Sequence, residues 1–309
     1  MPSLKAHLVA FVLRNTRKKA FRSPGGLQAL IDSSRKIQDH RPPAKISARL
    51  DIETREVAGW PVYEARPRGT DPSRRILYLH GGAFCFELTP FHWSLIADMA
   101  ERLDAHVSVP IYPLAPEYNF HDAYTFAGAV WRDVVARDDE VIVMGDSAGG
   151  TMALVLSMMA AHEGWARASR LVLLSPAVDA TLTNPKTHEI AAIDPWLDIP
   201  GGRYAFEQFA ADLEFSDWRI SPIYGNLAVL PPVLLFTGTR DMLYPDTLDF
   251  AEKAKTAGVD VTTETGDRMF HVWPLIDMRE ARQARDRIVE WVKAPRPAMT
   301  DDKRETAGA

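Results

Sequence analysis

The sequence predicts an α/β fold built on a mostly parallel sheet with helices on both faces, and three observations carry that prediction. Short runs rich in β-branched and apolar residues recur along the chain, at 62–66, 75–79, 107–111, 141–145, 171–175, 233–237 and 259–264. Segments with helical spacing separate most of them, and regular alternation of strand and helix is the pattern of parallel strands joined by helical crossovers. One run, Val141-Ile142-Val143-Met144, stops at Gly145-Asp146-Ser147-Ala148-Gly149 and passes directly into an apolar helical stretch from Thr151 to Ala160. The residues that matter chemically then gather at the carboxyl edge of the sheet.

Taken in order, the chain opens with helices. Leu4, Leu8, Phe11 and Val12 recur at helical spacing, followed by Arg14, Arg17, Lys18, Lys19 and Arg22. Ser23-Pro24 reads as the start of a second helix bearing Leu27, Leu30, Ile31 and Ile37. A serine at that point accepts from the orphan N–H groups of the first turn, and proline has no N–H to lose. His40-Arg41-Pro42-Pro43 ends it. A basic amphipathic start suits either a membrane surface or a helix laid over the fold, and its short polar face favours the second. The apolar stretch Leu8 to Leu13 is short, precedes basic residues and lacks a small-residue cleavage site, so no signal peptide is expected. No segment approaches the ~20 apolar residues of a membrane span.

Two strand ends carry chemistry. Gly145 to Gly149 matches G-x-S-x-G, a sharp strand-to-helix turn that projects a serine hydroxyl while the glycines let neighbouring backbone pass closely. Ser147 is therefore the candidate nucleophile. Upstream, the strand Arg75 to Leu79 ends in His80-Gly81-Gly82-Ala83-Phe84, which resembles the His-Gly-Gly-Gly motif of lipases and esterases. Backbone N–H groups of Gly82, Ala83 and Ala148 are the expected donors for an oxyanion. Alanine at position 83 still carries its N–H, and its methyl group narrows the space beside it.

A nucleophilic serine needs a base and an orienting acid. In the chain order serine, acid, histidine, His162, His188 and His271 are eligible. His162 falls within the helix after the elbow and His188 in a later insertion, which leaves His271, in a loop after the run Val259 to Glu264. The strand Pro232 to Thr237 is followed by Gly238-Thr239-Arg240-Asp241, so Asp241 is the favoured acid, with Asp179 and Asp246 as rivals.

His80 to Phe84, Tyr112-Pro113-Leu114-Ala115-Pro116-Glu117, Gly145 to Gly150, Gly238 to Asp241 and His271 together resemble the hormone-sensitive lipase family of α/β-hydrolases over roughly residues 60 to 292. Ala83 and Pro113 depart from that family's pattern. The resemblance implies an α/β-hydrolase fold with an eight-stranded, mostly parallel sheet and a helical cap. It places the cap in residues 1–45 and 183–217 and the core in 46–182 and 218–293, while Pro295, Pro297 and the polar run that follows make residues 294–309 a disordered tail. It implies Ser147, Asp241 and His271 as catalytic residues, Gly82, Ala83 and Ala148 as the oxyanion hole, and Phe84, Trp196 and Phe206 as substrate contacts. Homodimers formed through residues 259–292 also follow from it.

Composition sets outer bounds. At 309 residues and 46% hydrophobic content the chain can bury a large core. A net charge of −5 provides no field for nucleic acid or anionic substrates. The single cysteine, Cys85, allows no internal disulfide and no thiol-based metal site, which suits a cytoplasmic location. The expectation is a serine carboxylic ester hydrolase acting on short- to medium-chain acyl esters through an acyl-enzyme, without metal or organic cofactor. An amidase, deacetylase or lactonase with the same triad is the alternative, and a non-catalytic small-molecule-binding module is the rival of another class.

Overall fold

A computed structural model describes residues 2–135 and 140–295; the expected tail from residue 296 onward lies outside them. Eight strands form one sheet: β1 Leu50–Val57, β2 Trp60–Pro67, β3 Arg74–Leu79, β4 Ala105–Pro110, β5 Val141–Asp146, β6 Arg170–Leu174, β7 Val233–Gly238 and β8 Val261–Gly266. Their order is β1-β2-β4-β3-β5-β6-β7-β8. Only β2 runs against its neighbours, pairing antiparallel with β1 and β4.

The helices are α1 Leu4–Asn15, α2 Arg17–Phe21, α3 Pro24–Arg35, α4 Ala44–Ser47, α5 Pro90–Leu103, α6 Phe120–Val135, α7 Ala148–His162, α8 Pro185–Ala191, α9 Ile199–Phe209, α10 Tyr244–Thr256 and α11 Arg279–Lys293. At α3 the Ser23 hydroxyl accepts from Gly26 N at 3.1 Å.

The central strands are apolar without interruption because both of their faces are covered. Leu77, Leu79, Val143, Leu171, Leu173, Val233 and Leu235 join one core with α6, α7 and α10. Their alternating partners Ile76, Tyr78, Ile142, Met144, Val172, Leu174, Leu234 and Phe236 join a second core with α5 and α11. Each fully buried side chain of this size stabilises the fold by ~1.5–3 kcal/mol, so the middle of the sheet is its most rigid part and the base for its loops.

The N-terminal helices and the insertion between β6 and β7 pack together. The buried Lys18 Nζ donates to Ala191 O at 2.7 Å and Leu197 O at 2.5 Å, and pairs with Asp198 at 2.9 Å. Tyr204 Oη donates to Gln28 at 2.6 Å. Any Cβ at Gly201 would come within 2.6 Å of Phe21 O, so α9 lies directly on the backbone of α2. This layer contacts the loops after β3 and β8, through Phe84 on Phe209 and Trp196 on His271.

One strand was not among the seven runs. β1 is an edge strand whose sequence, Leu-Asp-Ile-Glu-Thr-Arg-Glu-Val, is largely charged and only half-buried at best after Leu50. Pairing with β2, from Leu50 opposite Pro67 to Val57 opposite Trp60, holds it in place.

Candidate active site

The turn after β5 is built by close backbone contact. Ser147 has φ 50 and ψ −120, a sparsely populated conformation that costs about 1–3 kcal/mol and persists only where its surroundings impose it. They do so here. Ser147 N donates to Leu174 O at 2.9 Å on β6, and Thr151 N donates to Ser147 O at 3.1 Å. A Cβ at Gly149 would sit 2.0 Å from Leu79 O, and one at Gly145 would sit 2.4 Å from Gly149 O. Only glycine permits this approach, which sets the start of α7 against the end of β3.

Asp146 joins the same two elements. Its buried carboxylate accepts from Tyr78 Oη at 2.7 Å and Gly81 N at 3.0 Å, and lies 3.2 Å from His92 Nε2. Burial opposes its charge, yet His92 and these donors hold it below the usual carboxylate range. Side-chain atoms at position 81 would strike it, since a Cβ there falls 2.2 Å from Asp146 Oδ2. Nothing in the letters beyond its place inside G-x-S-x-G marked Asp146 for this task.

The loop after β3 is similarly constrained. Gly82 has φ +129, and a Cβ on it would meet Phe86 O at 2.5 Å. Ala83 and Phe84 follow with φ 53 and 58, so three successive residues lie in the left-handed half of conformational space. Among the described residues the N–H groups of Gly82, Ala83 and Ala148 donate to no protein acceptor. His80 is fully buried, stacks on Tyr112 at 4.3 Å, and is pushed down to about 3 chiefly by burial, so it stays neutral.

Three side chains from distant parts of the chain converge at Ser147. His271 Nε2 is 2.8 Å from Ser147 Oγ, and His271 Nδ1 is 2.9 Å from Asp241 Oδ2. The other Asp241 oxygen accepts from Leu243 N at 3.0 Å. The loops bearing the two residues are joined, because Arg240 N donates to Met269 O at 2.9 Å. Val272, at φ 46, turns the chain immediately after the histidine. Burial lowers the affinity of His271 for a proton, but Asp241, its hydrogen bond, Asp194 and Asp146 outweigh that and raise its pKa above the ordinary imidazole value.

The rivals lie elsewhere. His162 is exposed, and His188 Nε2 is 3.1 Å from Leu182 O. Asp246 accepts from Asn184 at 2.8 Å and Thr187 at 3.0 Å, linking α10 to the insertion. Asp179 accepts from Tyr224 Oη at 2.7 Å. Cys85 is buried, and burial pushes its thiol up to about 12, far from a thiolate at neutral pH.

Of the aromatic residues expected around a substrate, Trp196 stands edge-on to His271 with ring centroids 5.7 Å apart. Phe84 and Phe206 are 5.9 Å apart, and Phe84 stacks face to face on Phe209 at 3.8 Å. Sequence reasoning gave no sign of Asp194. This fully buried carboxylate in the insertion accepts from Trp196 N at 2.7 Å, Leu197 N at 3.1 Å and Met242 N at 2.8 Å. Burial, then the neighbouring Asp241 charge, push it up to about 7 despite the Trp196 and Met242 donors. Its backbone contacts connect the turn bearing Trp196 to the turn bearing Asp241.

Comparison with known proteins identifies the fold and its relatives. The model of a family described by its alpha/beta hydrolase fold matches residues 76–275. An esterase from Acinetobacter venetianus is 29% identical over 290 residues, covering 89% of this chain and 92% of the relative. An acetyl-hydrolase from Streptomyces hygroscopicus is 31% identical over 216 residues, covering 67% and 70% respectively. Among solved structures, an esterase of the bacterial hormone-sensitive lipase family shares the fold with a TM-score of 0.82, at 24% identity over 95% of this chain and 98% of that one. The chain thus belongs to the α/β-hydrolase family, as a hydrolase of the carboxylesterase and lipase type.

Proposed function

We propose that the enzyme cleaves short- to medium-chain carboxylic esters through an acyl-enzyme on Ser147. The observation that carries this reading is the continuous hydrogen-bonded relay from Asp241 through His271 to Ser147, at 2.9 and 2.8 Å, on a tight strand-to-helix turn with φ 50 at the serine. Ser147 Oγ attacks the ester carbonyl as His271 Nε2 takes its proton, and Asp241 stabilises the imidazolium. The N–H groups of Gly82, Ala83 and Ala148 receive the oxyanion, which their freedom from protein acceptors favours. His271 returns the proton to the departing alcohol, then draws a proton from water as it attacks the acyl carbonyl and frees Ser147.

The layer formed by residues 1–45 and 183–217 acts as a cap. Phe206 and Phe209 of this layer, with Phe84 from the loop after β3, form an aromatic wall that suits a short acyl group, and Trp196 flanks the imidazole. The name of the Streptomyces relative, an acetyl-hydrolase, supports a short acyl chain. Two copies pair through residues 259–292, at the β8 edge of the sheet.

Hydrolysis of p-nitrophenyl esters from acetate to palmitate tests the reading. Turnover is expected to peak at short or medium chains; a maximum at palmitate, or no turnover of any ester, overturns it.

The same geometry predicts the pH profile. His271 must be neutral to accept a proton, so kcat/KM rises with pH through an acid limb placed above the ordinary imidazole value of about 6.5. Asp194 is a positioning residue that, pushed up to about 7, is only partly ionised across that limb, and its ionised fraction helps raise the limb. Asp194→Asn removes the charge and should shift the limb to lower pH. A limb that stays in place would show that Asp194 only braces the two turns.

A further inference from the structure

Helix α1 is amphipathic in the reverse sense for a packed helix. Its small residues Ala6 and Ala10 are buried, whereas Leu4 is 89%, Phe11 66%, Leu8 62% and Val12 49% exposed. At 100° per residue these four side chains share one sector of roughly 100° on the solvent side. The sequence favoured α1 as a helix laid over the fold, which would have turned its large apolar residues inward. The fold instead turns Ala6 and Ala10 inward, with Val9 and Leu13 packed beside them, and the two alanines let α1 lie close.

The helix is held firmly enough to present a fixed surface. Ser3 N and Ser3 Oγ donate to Glu280 at 2.6 and 2.9 Å, and Lys5 pairs with Asp277 at 3.0 Å. Beside the apolar sector, Ile193 is 48% exposed. Arg14 and Arg240 both donate to its carbonyl, at 3.2 and 3.3 Å. Arg240 lies below the usual guanidinium range through burial, with repulsion from Arg14 and Arg268 adding to it. Among the described residues none of these three arginines has a salt-bridge partner, although like charges are gathered there.

Charge identifies the occupant. Residues 1–31 contain six Lys or Arg and no Asp or Glu, in a chain whose net charge is −5. Lys18 is buried against Asp198, which leaves Lys5, Arg14, Arg17, Lys19 and Arg22 exposed. A second copy docked on this face would set one basic helix against another. An anionic lipid surface matches both the apolar sector and its cationic surround.

We infer that α1, with Ile193, Arg14, Arg240 and Arg268, docks the enzyme on anionic phospholipid bilayers, with Leu4, Leu8, Phe11 and Val12 among the upper acyl chains. The attachment is peripheral, since among the described residues no helix is long and apolar enough to cross a membrane. Ile193 and Arg240 immediately precede Asp194 and Asp241, so docking sets the loops of the proposed triad beside the lipid. On the esterase reading, substrates then include esters dissolved in the bilayer.

Co-sedimentation of the full chain with sucrose-loaded vesicles tests the docking. Phosphatidylcholine vesicles are compared with vesicles that also contain phosphatidylglycerol, at low and high salt. The protein is expected to pellet with the anionic vesicles and to be released by salt. Leu8→Ser with Phe11→Ser should weaken pelleting by roughly tenfold or more. Arg14→Gln should weaken it by roughly fivefold, on anionic vesicles only. The serine pair lies on the surface and should leave p-nitrophenyl acetate hydrolysis without vesicles unchanged. Wild-type protein that stays in the supernatant at low salt, or a serine pair that pellets like wild type, overturns the inference. A wild-type dimer that the serine pair converts to monomer overturns it too and assigns the face to a second copy. Failure of the esterase reading would appear as lost turnover with pelleting intact.

Discussion

Ser147→Ala is expected to lower kcat/KM for p-nitrophenyl butyrate by about 10⁴-fold or more, the scale of removing a triad nucleophile. That corresponds to ~5.5 kcal/mol of transition-state stabilisation. The change should be clean. Ser147 Oγ has His271 Nε2 as its partner, and alanine keeps the Cβ that already tolerates φ 50. The strain of the turn is therefore the same in both proteins, and thermal stability should be little altered. Residual activity would come from the N–H groups of Gly82, Ala83 and Ala148, which the substitution leaves in place. Steady-state kinetics beside a melting curve checks the result, and a folded variant within tenfold of wild type would remove Ser147 from its proposed role.

Asp241→Asn should cost ~10³- to 10⁴-fold in kcat with the fold preserved. One oxygen of Asp241 accepts from Leu243 N and the other faces His271 Nδ1. Asparagine keeps the first bond only by presenting its amide N–H₂ to the histidine. Nδ1 must then act as acceptor, which drives the ring proton onto Nε2, the atom that has to receive the serine proton. Asp246→Asn makes the contrast, because Asp246 faces Asn184 and Thr187 rather than His271. Its effect on kcat should stay below about tenfold, with a stability loss of ~1–3 kcal/mol from a disturbed buried bond. If Asp246→Asn proves the more damaging of the two, the acid has been misassigned.

The parts of the site legible in the sequence are those dictated by short-range backbone geometry. Gly145, Gly149 and Gly81 each stand where a Cβ would overlap neighbouring backbone or Asp146, so the motif letters are a direct imprint of close approach. Strands β3, β5, β6 and β7 were legible because burial on both faces demands unbroken apolar runs. β1 was not, because an edge strand with charged residues facing water has no such demand. Its hairpin turn, Ala58-Gly59, takes φ 48 and 84 without the Asn or Asp that commonly marks such turns. Asp194 was hidden for another reason: its significance lies in accepting from Met242 N beside the charge of Asp241, 47 residues away, a pairing with no local signature. The outward face of α1 was also hidden, since helical spacing locates an apolar stripe but not the side that packs.

The glycine contacts at the elbow also bear on how such an enzyme diversifies. With Leu79 O pressed against Gly149 and Asp146 against Gly81, almost no side chain can be added there without displacing backbone. Substitution is thereby closely confined at the elbow and less so in residues 183–217 and the N-terminal helices, where replacing one aromatic ring leaves the elbow intact. On the proposed acyl-enzyme reading, replacements in that outer layer would exchange one ester for another while Ser147 and its partners stay in place.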